Sequence, residues 1–310
     1  MPTLADIAPL QQTLAAILAG GPRSHHALTV VPILAPMQAE PAWLTLAEAG
    51  DRVRITEVSE GGSVPDLRVA NLGDVPLLLL DGEQLVGAKQ NRILNMTVLV
   101  AARSEVRIPV SCVEQGRWRY QSRRSAPSDF SLYASLRAKK SAWVSRSLRE
   151  GRGHAADQQG VWEGLADVAQ AHQIRSTTGA MHDFYTRYEQ EIAQAREALQ
   201  PIPGQVGALA YVAGCWAGLD LLAGPRLFAT AWPRLCAGYA ADALRRAPGK
   251  RQVPAPRALL KMLAACPVEP APAVGLGAEY RLAGAKLTGA TLVAEERVAH
   301  LMAFPVESAH

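Results

Sequence analysis

The stretch VPLLLLDGEQLVGAKQNRIL, Val75 to Leu94, decides how the chain is read. Its first six residues and Leu85-Val86 are apolar runs too short for helices, broken by Asp81-Gly82, the dipeptide favoured where both central residues of a tight hairpin turn need φ > 0. Neighbouring segments repeat the pattern. Leu28–Ala35, Arg52–Val58 and Asp66–Asn71 precede it, and two longer strands, Arg92–Val100 and Glu105–Glu114, follow, all rich in branched aliphatics and separated by Gly, Pro and Asp. The expectation is an antiparallel β sandwich or partly open barrel over residues 1–123.

Beyond Arg123 the apolar period lengthens toward 3.6. Val161, Trp162, Leu165, Val168, Ala169 and His172 share one helical face, and Phe184, Tyr188, Ile192 and Leu199 form a stripe on a second helix. Residues 124–200 therefore read as helical, with a loop near 149–160. Residues 201–310 read as a mixed region packed on the first as one unit: a hairpin in GALAYVAGCWAGLDLL, a helix from Pro225 to Arg246 bent or split at Pro233, a helix over Ala255–Ala265, and two closing strands. The fold class is α+β.

Composition narrows the function classes. With 49% hydrophobic and 19% charged residues and a net charge of +4, the chain has the balance of a globular protein and lacks that of a disordered one. No apolar run reaches the roughly 20 residues of a membrane span, and the patch Leu14–Leu18 follows Asp6 without a basic leader, so a cytoplasmic protein is expected. Four scattered cysteines, Cys112, Cys215, Cys236 and Cys266, give neither a zinc spacing nor a disulfide framework. Between Gln121 and Arg152 eight basic residues face two acidic ones, a net +6. That segment reads as a solvated helix face carrying Lys139 and Lys140, or as a nucleic-acid surface, although it has no interleaved aromatics.

Strand alternation identifies polar residues on apolar faces. Arg92 continues the face of Leu94, Met96, Val98 and Val100, and Glu114 that of Val106, Ile108, Val110 and Cys112; a hairpin aligning Val100 with Val106 sets Arg92 opposite Glu114. Only slips by an even number of residues compete, because an odd slip sends the two apolar faces apart. Glu57 and Asn71 also lean inward, at opposite ends of their hairpin. Lys89, Gln90, Asn91 and Arg92, beside Gly87 and Glu83, hold more hydrogen-bonding capacity than a turn needs. Either they bind a ligand bearing phosphate, sugar hydroxyls or an amide, or they form a buried network fixing the sheet. All four meet one ligand only if the segment leaves strand geometry. Trp118, beside Arg117, is a stacking surface or a core plug. His300 lies on the face of Val298, Met302 and Phe304, where a histidine is more often a satisfied core residue than a base or ligand, and His25, His26 and His310 read as loop or tail residues. No HExxH, GxSxG, GxGxxG or phosphate-loop pattern occurs, and no residues are assigned to a metal or cofactor.

The strings GSVPDLRVANLGDVPLLLLDGEQLVGAKQNRIL and IPVSCVEQGRWRY, with LTLAEAG, QQGVWEGL, GALAYVAGCWAGLDLL and RVAHLMAFP, resemble the ADP-ribosylglycohydrolase and rhodanese-phosphatase-associated protein domain family over nearly the whole chain. Gln84 departs from the acidic residue expected after Glu83. The resemblance implies association with ADP-ribose and NAD metabolism, hence a nucleotide ligand. On that reading the protein binds or hydrolyses an ADP-ribose-like or NAD-derived nucleotide, with Glu83 or Glu114 as base, Lys89 stabilising charge, and Gln90, Asn91, Arg92, Gln115, Arg117, Trp118, Gln159 and His300 contacting the ligand. The competing reading is a non-catalytic sensor or adaptor in a prokaryotic stress or phage-defence system.

Overall fold

The computed structural model describes residues 7–36, 39–58, 65–244, 246–247 and 255–306; His310 lies outside them. The chain forms an α+β fold of two compact units that do not follow its linear order: residues 1–41, 195–273 and 277–310 make one, and residues 42–194 and 274–276 the other.

The first unit is built on an antiparallel sheet that runs Leu18–Ala19, Leu28–Leu34, Gln205–Val212, Cys215–Leu222, Arg297–Pro305, Leu287–Ala294, Ala278–Ala283 and Val268–Ala271, with Arg23–His25 paired to Leu28–Leu34. Gln205–Val212 and Cys215–Leu222 form the expected hairpin, turning through Ala213 and Gly214 at φ +49° and +78°. The strand Leu287–Ala294 escapes sequence reading because its turn is made by Glu295 and Glu296, also at positive φ and without glycine. On one sheet face Leu209, Leu219, Leu221 and Leu301 pack with Leu10 and Leu14 of the Ala8–Ala16 helix and with Leu259, Leu260 and Leu263 of the Pro256–Ala264 helix. Alternation turns Asp220 and His300 to the other face, where the Pro225–Ala243 helix lies and Tyr239 donates to Asp220 Oδ2 at 2.7 Å. Pro233 does not split that helix.

The second unit closes a barrel: Ser104–Cys112, Asp66–Asn71, Val53–Glu57, Ser125–Ser131, Glu83–Gly87, Arg92–Leu94, and back to Ser104–Cys112. Ile55, Leu67, Val69, Leu85, Leu94, Ile108 and Val110 fill one core with residues of a small sheet, Val98–Val100, Leu77–Leu79 and Leu44–Thr45. Burying each such side chain is worth about 1.5–3 kcal/mol. Ser125–Ser131 is the strand that completes the barrel, within a segment expected to be helical; its register shift between Pro127 and Ser131 accommodates the proline. Helices Ala134–Arg149, Gln158–Ala171 and Met181–Arg187 follow, and the stripe read as one helix is two, since Glu189–Ala198 starts anew after Tyr188.

Three further expectations do not hold. Asp81-Gly82 does not make a two-residue hairpin: only Gly82 has positive φ (+81°), and the turn passes the chain from Leu77–Leu79 in the small sheet to Glu83–Gly87 in the barrel. Arg92–Val100 is two strands, interrupted at Asn95, whose backbone N–H donates to Pro109 O and whose side chain bonds His154 O and Ser111 Oγ. Lys140 is not on a solvated face. It is fully buried and donates to Asp81 Oδ2 and to Leu94 O (3.0 Å), with Arg137 Nε 3.6 Å from Asp81 Oδ1, whereas Lys139 is exposed.

Candidate functional site

Strand directions define two barrel ends. The carboxy-terminal ends of Val53–Glu57, Glu83–Gly87 and Ser104–Cys112 meet the amino-terminal ends of Arg92–Leu94 and Ser125–Ser131. Between Gly87 and Arg92 the chain leaves strand geometry, with Gly87 at φ +106° and Ala88 at φ +43°, and Lys89, Gln90 and Asn91 are nonetheless buried. A Cβ on Gly87 would stand 2.6 Å from Ser122 Oγ and 2.8 Å from the Arg124 carbonyl, so glycine is required twice over.

Arg117 organises this loop. Its Nη1 donates to Ala88 O (2.9 Å) and Arg119 O (3.1 Å), its Nη2 to Asn91 Oδ1 (3.1 Å) and Glu114 Oε2 (2.6 Å). Gln90 Nε2 donates to Glu114 O at 2.8 Å, and Asn91 Oδ1 accepts from Gly87 N at 3.1 Å. Glu114 also accepts from Asn91 N (3.2 Å) and Thr178 Oγ1 (3.0 Å). Burial works against its charge, but the Arg117, Asn91 and Thr178 donors outweigh it and hold the carboxyl below its usual range. Glu114 is thus an ionised brace, and a weak base.

The expected Arg92–Glu114 pair does not form. Arg92 stands opposite Cys112, a register two residues away, which is the even slip that alternation permits. Its Nη1 donates to Gln90 Oε1 (2.6 Å) and contacts Cys112 Sγ, while Glu114 pairs with Arg117, three residues along. Burial, the largest influence, raises the Cys112 thiol despite the adjacent Arg92, so the thiol is neutral. Above the loop, Lys89 Nζ sits 5.3 Å from the Trp118 ring centre and 5.1 Å from that of Tyr120, and Arg92 Cζ is 5.6 Å from Trp118. Both rings are 48% exposed, so Trp118 is no core plug.

Beside the loop opens a cleft of ≈490 Å³, whose lining includes Asn91, Glu114, Arg117, Arg119, Tyr120 and Thr178. His182 and Asp183, from the first turn of the Met181–Arg187 helix, also line it. Arg119, Tyr120, Thr178, His182 and Asp183 were missed in the sequence. The first two lay open to reading as the cation and aromatic continuing Arg117-Trp118; the other three had no local signal. Among the described residues, no group of three or more His, Cys, Asp or Glu side chains is placed to hold a metal ion.

A model of the ARG and Rhodanese-Phosphatase-superfamily-associated Protein domain matches residues 16–304. The chain belongs to this family. No curated protein and no solved structure matches it. Within the stretch matched by the family, the loop brings together Lys89, Gln90, Asn91, Arg92, Glu114, Arg117 and Trp118 and leaves four other expected residues apart. Glu83 lies at the opposite barrel end, accepting from Leu80 N at 2.8 Å. Gln115 is exposed and lines a small recess with Tyr133 and Trp162. Gln159 is exposed and bonds Glu163 (2.9 Å); its neighbour Gln158 reaches the barrel, pairing with both the N–H (2.8 Å) and the C=O (2.9 Å) of Cys112. His300 belongs to the other unit, where Nε2 lies 3.1 Å from Asp220 Oδ1. No helix among the described residues is long and apolar enough to cross a membrane.

Proposed function

We propose that the protein binds an ADP-ribose-like or NAD-derived nucleotide in the cleft beside the Gly87–Arg92 loop. The observation that carries this reading is the convergence in one cleft of Arg119, the exposed ring of Tyr120 and the Thr178 hydroxyl against a loop rigidified by Arg117. A guanidinium suits a phosphate, an exposed ring suits a base, and a hydroxyl suits a ribose. The volume of ≈490 Å³ falls in the range of small-molecule sites. The resemblance read from the sequence strings implies the same ligand class.

Between hydrolase and sensor, the state of Glu114 favours the sensor. A carboxylate that accepts from Arg117, Asn91 and Thr178 and is held ionised has little proton affinity to offer a water molecule. Glu83, the other candidate base, is at the far barrel end. Mass spectrometry of small molecules released from the native protein tests the reading. A nucleotide in the extract, recovered intact after prolonged incubation with the protein, is expected; an extract without nucleotide, together with no calorimetric binding of ADP-ribose, overturns it.

A further inference from the structure

The inner face of the same barrel end carries groups that the cleft does not use. Register sets Arg92 opposite Cys112 and Leu85, Ser125 opposite Ile55 and Gly87, and Glu57 opposite Leu67. Paired residues share a face, so Glu57, Arg92, Cys112 and Ser125 point into the barrel beyond the apolar layer of Ile55, Leu67 and Leu85. All four are buried, Arg92 completely. Arg92 is anchored by Nη1 alone. Its Nε and Nη2, the two parallel donors on one edge of the guanidinium, have no hydrogen-bond partner, and neither do Glu57 Oε2 and Ser125 Oγ. Burying a charged fork and a carboxylate oxygen without partners is unfavourable unless something else meets them. Trp118 stands over Arg92 at cation–π distance, and such contact with the guanidinium face leaves the edge donors free in their own plane. The Cys112 thiol, kept neutral by burial, does not compete as an anion for Arg92.

We propose that the free edge of Arg92 is an oxyanion subsite inside the barrel, taking the two oxygens of a carboxylate or phosphate whose neighbouring hydroxyl donates to Glu57 Oε2. Entry is at Trp118, the exposed part of the roof. The subsite goes beyond the nucleotide reading and does not depend on it, because Arg92 does not line the outer cleft.

Arginine Nε–H resonances of ¹⁵N-labelled protein, assigned through bonds so that no variant need fold, test this directly. The probes are inorganic phosphate and malate, each taken to roughly 10 mM, where even a millimolar site is filled. The expected result is a shift of the Arg92 Nε–H signal and at least about tenfold slower exchange with water under one probe. A response to phosphate assigns a phosphorylated ligand, and one to malate a hydroxycarboxylate. Arg119→Ala, in the cleft, should leave the response unchanged even if it abolishes nucleotide binding. An Arg92 signal unmoved by either probe, or a response lost in Arg119→Ala, overturns the subsite.

Discussion

At the barrel end where the Glu83–Gly87 strand begins, Asp81 meets Lys140, whose third-element partner is the Leu94 carbonyl, and the Arg137 guanidinium closes on the same carboxylate. At the end where that strand finishes, Arg92 is as deeply buried as Lys140, yet one edge of it meets nothing, and Glu57 and Ser125 have side-chain oxygens in the same condition. Both ends bury charge inside one barrel, so burial alone does not distinguish structure from function. Pairing does: the first end is an internal ion cluster that fixes a helix to the sheet, and the second leaves donors and acceptors inside the barrel without partners from the fold.

The largest expected effect separates the two ends. Lys140→Ala strands the Asp81 carboxylate and should cost about 3–5 kcal/mol in chemical denaturation, whereas Arg92→Met, which removes a charge with no ion partner, should change stability by no more than about 1 kcal/mol. Equal losses at the two positions would erase the comparison. A second variant sharpens it within the loop end. Glu114→Gln should cost about 1.5–3 kcal/mol at neutral pH by weakening charge-assisted bonds to Arg117, Asn91 and Thr178. Because the folded pKa of Glu114 is lowered, its contribution is fully present above the ordinary value of 4.5 and disappears as the pH falls through the lower folded value. Denaturation curves of the two proteins should therefore converge on acidification; a gap that widens as the pH falls would mean Glu114 is not held ionised. The smallest pair tests how the barrel end is braced from outside. Gln158→Ala loses two bonds to the Cys112 backbone and should cost about 1–2 kcal/mol, against less than about 0.5 kcal/mol for Gln159→Ala. Thermal melts that rank them the other way would remove Gln158 from the support of the site.

The comparison also explains what could be read from the sequence. Alternation correctly turned Arg92, Glu57 and Asn71 inward, and an excess of polar residues beside two glycines singled out Lys89–Arg92, with a departure from strand geometry as the condition for one ligand to meet all four. These are local properties. The partner of Arg92 was not, because register between strands depends on where each begins, and the break at Asn95 and the pairing of Val98–Val100 with Leu77–Leu79 moved the ladder by two residues. Nor could the run around Lys140 reveal its burial, since Asp81 answers it from a turn 59 residues earlier. The closing strand Ser125–Ser131 hid for a similar reason: Pro127 and Asp129 are poor strand formers that tertiary pairing overrides. Gln159 came from the family resemblance, and it is its neighbour Gln158 that reaches the Cys112 backbone.

Calorimetric titration of ADP-ribose into the wild-type chain and into Tyr120→Ala tests most directly that the loop end is the functional end. Tyr120 is half-exposed, so its loss should leave the fold intact and remove only the stacking surface of the cleft. Saturable binding by the wild type, weakened about tenfold or more in Tyr120→Ala, is the predicted result, in line with about 1–3 kcal/mol for base stacking on an aromatic ring. Absence of binding by the wild type, or equal affinity in both proteins, would contradict it.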